Sequence, residues 1–387
     1  MIRLTVPSIE ADDLQAVQEV LASGFLVQGQ RVVAFERAVA NYVGTDYAVA
    51  VSNCTAALHL SLLALDVRPG DLVLVTTYSW IATANVIELC GAQPVFVDID
   101  PQTFNLEPEL LAEVLDRLMA NPETARRVKA VMPVHTFGQM ADMPRILAVT
   151  ERFSIPVIED AACALGACWQ GRQAGTWGVM GCFSFHPRKA ITTGEGGIIT
   201  TNDPALAHRL RALRNHGQNP DASTTDFVTP GFNYRLTEFQ AALGSTQMVK
   251  LDRVITARRR LAANYDALLK DTFLHPPVVS AESLPVYQSY VTLLPEHVKN
   301  RRFELIALLH TQGIETQIGT WHMPLTSYFR ARYGYRPGDF PVADHVFACA
   351  LTLPLHERLT ESSQQQVIDA LYQMLLSPND LSPEGNR

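Results

Sequence analysis

The chain has 387 residues, with 31 Lys and Arg against 39 Asp and Glu, a formal net charge of −8, and 47% apolar against 18% charged residues. This composition excludes a disordered, collagen-like or disulfide-stapled chain, and the acidic balance argues against a nucleic-acid binder. The length points to roughly two to three folding units.

The first residues, MIRLTVPSIEADDLQAV, show no basic region followed by an apolar run, so no signal peptide is expected. No apolar stretch reaches about 18 residues, so no membrane span is expected. Between residues 45 and 205 short apolar runs alternate with helical patterns. Strands are predicted at Tyr47–Ser52, Leu72–Thr76, Pro94–Asp98, Ala130–His135, Pro156–Glu159, Cys182–Phe185 and Gly197–Thr201. Helices are predicted at Thr55–Leu65, Ile81–Cys90, Pro108–Leu118 and Met143–Phe153. Runs of Val, Ile and Ala without strict alternation suit strands buried on both faces. The expected fold is therefore α/β, with a mostly parallel central sheet covered by helices.

A long helical pattern at 238–270 reads as the connection between a large unit, 1–250, and a smaller C-terminal α+β unit, 251–387. Its Arg258–Arg260 run could bind phosphate, but a solvated face or an intersubunit ion pair is the simpler reading. In the smaller unit SYVTLL is strand-like and RRFELIALLHTQG helical, and the tail 377–387 is expected to be loose.

The six cysteines, Cys54, Cys90, Cys163, Cys168, Cys182 and Cys349, form no CxxC pair and no zinc spacing with His. Most read as buried thiols of a reducing cytoplasm.

Ligands of open α/β sheets gather at the C-terminal strand ends. Four segments stand there. Ser52-Asn53-Cys54-Thr55-Ala56 opens a helix, where free N–H groups can hold a phosphate or simply be capped. Trp80 follows a strand and either stacks on a planar ring or fills the core. Glu159 and Asp160 close a strand, where an acid either holds a cation or protonated ring nitrogen or caps the next helix. Ser184 ends another strand, and five residues on Lys189 sits in a Gly/Thr-rich loop.

Only five of the basic residues are Lys: Lys129, Lys189, Lys250, Lys270 and Lys299. Lys129 precedes a strand, Lys250 and Lys270 belong to the long helical stretch, and Lys299 lies among polar residues. Lys189 is the amine at a strand end. A phosphate cradle, a stacking aromatic, a carboxylate and an amine together suit pyridoxal phosphate.

The segments SNCTAALHLSLLAL, GAQPVFVDIDPQTFNLEP, MPVHTFGQMADM, VIEDAACALGA, CFSFHPRKAITTGEGGIITTND and GFNYRLTEFQAALGSTQMVKLD resemble the DegT/DnrJ/EryC1/StrS sugar aminotransferases, over nearly the whole chain. The resemblance implies the type I fold of pyridoxal phosphate enzymes. It implies that Lys189 is the Schiff-base lysine and Asp160 the partner of the pyridine nitrogen. Ser184 and the Cys54-Thr55-Ala56 turn resemble the phosphate ligands, and Trp80 the ring-stacking aromatic. Asn233 resembles a residue that reaches a phosphate in the neighbouring subunit of a homodimer. Two positions depart from the family pattern. Cys54 stands where Gly or Ala is common, and Cys163 where a Gln usually meets the cofactor's phenolic oxygen. The C-terminal segment GTWHMPLTSYFRARYGY matches the family only partly.

The implied reaction moves an amino group from glutamate or glutamine to a keto sugar, most often nucleotide-linked, through the pyridoxamine form of the cofactor. Alternatives are amination of a free cyclic ketone such as an inosose, a sugar dehydrase (in which His replaces the lysine), and a cofactor-binding regulator without catalysis. No metal, nucleic acid or membrane partner is expected.

Overall fold

The computed structural model describes residues 1–376 apart from 271 and 273. The tail 377–387 lies outside the described residues.

Helices α1 (Ala11–Ser23) and α2 (Gln30–Val43) precede the sheet. Then follow β1 (Tyr47–Val51), α3 (Cys54–Ala64), β2 (Leu72–Thr76), β3 (Tyr78–Ser79), α4 (Ala82–Leu89) and β4 (Gln93–Val97). Next come α5 (Pro108–Ala120), α6 (Pro122–Ala125), β5 (Val128–Met132), α7 (Met143–Glu151) and β6 (Ile158–Asp160). The short β7 (Cys168–Trp169) and β8 (Arg172–Gln173) lead to β9 (Met180–Ser184), β10 (Gly197–Thr201) and α8 (Pro204–Arg214). Helices α5, α7 and α8 begin alike: an acidic N-cap, Glu107, Asp142 or Asp203, accepts backbone N–H groups, and a Pro follows in the first turn.

The strands line up in the order β1-β10-β9-β6-β5-β2-β4, with the Val131–Val157 and Val134–Asp160 bridges joining β5 to β6. Strand β10 runs antiparallel to both neighbours; the other adjacent pairs are parallel. Helices cover the sheet and make two apolar cores, one built around Phe35, Phe183 and Ile198, the other around Leu58, Ile87 and Cys182. Each predicted strand and helix of this region is present, with ends shifted by a few residues.

Helix α9 (Glu238–Leu269) starts at a reciprocal cap between Thr237 and Gln240. Its Ala241, Met248, Leu251 and Ile255 enter the core built around Phe35, Phe183 and Ile198. Its Leu261, Tyr265 and Leu269 enter a separate core with Tyr290, Leu309 and Leu353. The chain continues through β11 (Ser283–Leu284), β12 (Tyr290–Leu293), α10 (Arg302–Thr311), β13 (Gln317–Ile318), β14 (Trp321–His322), α11 (Ser327–Tyr333), α12 (Pro341–Cys349), β15 (Ala350–Leu353) and α13 (Glu361–Leu376). Strands β12 and β15 and helices α10 and α13 supply that second core, whereas Phe329 of α11 enters the core around Leu58, Ala343 and Val346 of α12 pack with Tyr78, and β11 pairs with β7. Residues 2–4 depart from a simple split near 250: Ile2 pairs with Gly313 and Glu315, and Leu4 O accepts the Leu355 N–H. Strand β14 crosses in the other direction and pairs antiparallel with β3, Trp321 opposite Ser79.

The Arg258–Arg260 run is neither a phosphate patch nor a uniformly solvated face. Arg258 is 2% exposed and donates to the Tyr287 and Gln288 carbonyls. Arg259 donates to the Pro285 carbonyl, and Arg260 pairs with Glu361 at the surface. Two long side chains are thus used to fasten segment 284–288 to α9.

Candidate active site

The parallel strands end on one side of the sheet, and the antiparallel β10 begins there. Register makes the meeting specific: Gly197 lies opposite Ser184 on one side and Val51 on the other. An ideal Cβ on Gly197 would sit 2.4 Å from the Asn53 carbonyl carbon and 2.7 Å from Cys54 N. Only glycine lets β10 pass this close, so Ser184 and the start of α3 are held together. Asn53 caps α3 by accepting the Ala56 N–H at 2.9 Å. Ala56, read as one of the phosphate ligands, therefore has its N–H engaged inside the chain. Among the described residues the N–H groups of Cys54 and Thr55 have no partner. With the exposed Thr55 hydroxyl, the half-buried Ser184 hydroxyl and the positive helix end, they suit a phosphate.

Strand alternation separates the two acids of β6. Glu159 is fully buried and consumed by structure: it accepts the N–H groups of Gly175, Trp177 and Gly178 at 2.7–2.8 Å. It also meets His135 Nε2 at 2.9 Å. The Ala141 N–H donates to His135 Nδ1, which leaves the ring proton on Nε2, toward Glu159. Asp160 is 3% exposed and points to the other face. Thr83 Oγ1 donates to its Oδ2 at 2.7 Å, and the Ala162 N–H to its Oδ1 at 3.2 Å. Burial pushes the Asp160 carboxyl above the usual range, while the Thr83 hydroxyl, the Ala162 N–H and the Lys189 charge oppose the rise. A protonated ring nitrogen would supply the missing counter-charge.

Lys189 is half-buried, and its Nζ lies 3.1 Å from Cys163 Sγ. Burial disfavours the ammonium form, but the Cys163 sulfur, then Cys54 and Asp160, outweigh burial and hold the amine above the ordinary lysine value. Cys54 is buried beneath the same group, its thiol pushed up by burial first and by Asp160 next. Trp80 is 61% exposed, so it is not a core residue. Its carbonyl accepts the Thr83 N–H, which sets the indole one helical turn from the Asp160 contact.

The chain thus brings Cys54, Thr55, Ala56, Trp80, Asp160, Cys163, Ser184 and Lys189 to one edge of the sheet. Asn233 lies on the segment beside the end of β1, where the Tyr234 carbonyl accepts the Ser52 N–H. It is exposed, and its backbone pairs with Asn215. Sequence reasoning missed Thr83 and Gly197, and left the turn at Asn53 open between a phosphate site and a cap. A Gly opening a strand beside a helix N-terminus was the available signal for Gly197; nothing in the sequence marks Thr83. Of the rival lysines, Lys250 is buried on Asp12 and Asp13, and Lys299 pairs with Glu296.

The family model of the DegT/DnrJ/EryC1/StrS aminotransferases matches residues 7–372. The chain belongs to this family. Among its relatives, the GDP-perosamine synthase of Caulobacter vibrioides is 37% identical over 97% of this chain and 98% of its own. The solved aminotransferase TlmJ from Streptoalloteichus hindustanus is 32% identical, with a TM-score of 0.88, over 97% of this chain and 99% of that one. The Streptococcus pneumoniae protein Spr1654, solved with pyridoxal phosphate, is 27% identical, with a TM-score of 0.89, over 97% of this chain and 100% of that one. It was also solved in the pyridoxamine form. Like other members of the DegT/DnrJ/EryC1/StrS family, this protein is a pyridoxal phosphate-dependent aminotransferase of the sugar-aminating class. The donor set fits that cofactor: unpartnered N–H groups for the phosphate, a buried acid for the ring nitrogen, and a strand-end amine for the aldehyde.

Proposed function

We propose that the substrate is a nucleotide-linked keto-deoxysugar, aminated at carbon 3 or 4, with glutamate or glutamine as donor. The observation that carries this reading is the likeness to a GDP-perosamine synthase along nearly the full length of both chains. The pathway class would be amino-sugar, polysaccharide or secondary-metabolite synthesis.

Bound pyridoxal phosphate supplies the aldehyde that takes up an amine and the ring that draws electrons from the adjoining carbon. Lys189 Nζ would hold the aldehyde and would move the proton on and off the amino donor's α-carbon. Asp160, fixed by Thr83, would keep a proton on the ring nitrogen. Cys54, Thr55 and Ser184 would bind the phosphate, and Trp80 would cover a ring face. Cys163 would stand beside the phenolic oxygen, where a thiol is a weaker hydrogen-bond donor than an amide. Asn233, which is exposed, suits a contact with the partner's cofactor, so we propose a homodimer with shared sites. The free thiols suit a reducing cytoplasm. Among the described residues no helix is long and apolar enough to cross a membrane.

Lys189 disfavours the dehydrase alternative, which requires His in its place. A screen of nucleotide-linked 3-keto and 4-keto sugars with glutamate, read by mass spectrometry, tests the proposal. One aminated nucleotide sugar is expected, and none with Lys189→Ala. Amination of an inosose but of no nucleotide sugar would defeat it.

A further inference from the structure

One cluster of ionisable groups has no part in the chemistry above. Glu296 opens a 3-10 turn, Glu296–Arg301, and His345 and Cys349 lie one turn apart on α12. The sequence reading did not take this interval as a zinc spacing, but on a helix four residues put the imidazole and the thiol on one face. Glu296 Oε2 lies 3.1 Å from His345 Nδ1 and 3.8 Å from Cys349 Sγ. Cys349 Sγ and His345 Nδ1 are 4.0 Å apart.

Zinc bonds of about 2.0–2.3 Å at tetrahedral angles set N, O and S donors roughly 3.3–3.6 Å apart. The observed triangle is close to that size and closes by small side-chain rotations. We propose that Glu296, His345 and Cys349 bind a zinc ion, with water in the fourth position. One thiolate, one imidazole and one carboxylate are ligand types that zinc accepts together. Cys349 is fully buried and is the last residue of α12, where the helix dipole favours a cation. Glu296 and His345 are exposed, so an ion has a path in from solvent. Binding as thiolate releases the Cys349 proton to solvent. The Lys299 ammonium now pairs with Glu296 and competes for the same carboxylate. None of the three ligands contacts Lys189, Asp160, Cys163 or Ser184. The ion therefore acts as a clamp between the turn 296–301 and α12 and takes no part in amino transfer.

Cadmium reports on this site through the ultraviolet charge-transfer absorption of a metal thiolate. Metal-free holoenzyme titrated with cadmium should show one such band, saturating at one ion per chain and reversed by zinc. Cys349→Ser should abolish it. His345→Ala should weaken binding by at least about tenfold, the cost of losing a lesser, indirect ligand contact. Lys299→Ala should tighten it, and zinc should raise the melting temperature of the native protein but not of Cys349→Ser. His345 is exposed, so its variant tests the site even if Cys349→Ser fails to fold. Absence of a band overturns the proposal, and so does a band that survives both His345→Ala and Cys349→Ser. Turnover serves as the independent control and should stay unchanged in His345→Ala.

Discussion

Lys189 Nζ and Cys163 Sγ stand 3.1 Å apart, so the amine at the strand ends meets a thiol before any carboxylate. This contact has a direction. Against the lowering effect of burial, Cys163 is the largest influence that raises the Lys189 pKa. Only the neutral amine can take up the cofactor's aldehyde. In Cys163→Ala the amine should lose its proton at lower pH, and the midpoint of cofactor uptake by the apoenzyme should move down. Absorbance-detected uptake across pH measures this. An unmoved midpoint would show that the contact does not govern the amine.

Thr83 gives the Asp160 carboxylate its shortest hydrogen bond. A hydrogen bond to a charged group is worth about 1.5–3 kcal/mol, so Thr83→Val should lower kcat/KM about 10- to 100-fold. Thr83 also holds the Asp160 pKa down against the burial that raises it. The acid limb of the kcat/KM profile should therefore move to higher pH in Thr83→Val and return in Thr83→Ser. A structural role alone would leave that limb in place.

Gly197→Ala should act on the cofactor rather than on the chemistry. The added methyl meets the Asn53 carbonyl and Cys54 N, and it must push α3 away from Ser184. Overpacking of this kind costs about 1–3 kcal/mol, which predicts a cofactor Kd raised about 5- to 100-fold. Titration of the apoenzyme with pyridoxal phosphate checks it. Turnover at saturating cofactor should fall much less.

Lys250 predicts a stability effect remote from the site. Its ammonium lies 2.6 Å from the buried Asp13 and 2.7 Å from Asp12. Lys250→Met leaves Asp13 charged and buried without its partner, a loss of about 3–5 kcal/mol at neutral pH. Burial raises the Asp13 pKa, but its bonds from Lys250, Thr246, Gln247 and the Glu10 N–H outweigh burial and hold it below 3.8. Its contribution is therefore full above that value and lost as pH falls through the lowered pKa. Denaturant unfolding should show the gap between variant and wild type closing in acid.

Much of this was readable from residue order. The strands betrayed themselves because both of their faces are buried, leaving near-continuous apolar runs such as LVLVT. Lys189 stood out because lysine is scarce and the alternatives lie on helices or polar turns. The choice between Glu159 and Asp160 was not readable from composition, since adjacent carboxylates differ only in which face of β6 they occupy. The Trp80 exposure was hidden for the same reason: a tryptophan after a strand reads alike whether it faces core or solvent. Arg258 was misread because its carbonyl partners lie on segment 287–288, and no local pattern signals a contact made across the fold. Thr83 and Gly197 work through single distances that only the assembled sheet creates.

The pairing of β14 with β3 has a consequence for biogenesis. Tyr78 and Ser79 emerge from the ribosome early and Trp321 and His322 late. Strand β3, next to Trp80, therefore stays unpartnered while residues 1–320, Lys189 included, are already made. Contacts of such long sequence separation form slowly. A nascent chain can thus present its amine before β14 exists, and full grip on the cofactor should come only after Trp321 and His322 have been synthesised and paired with β3.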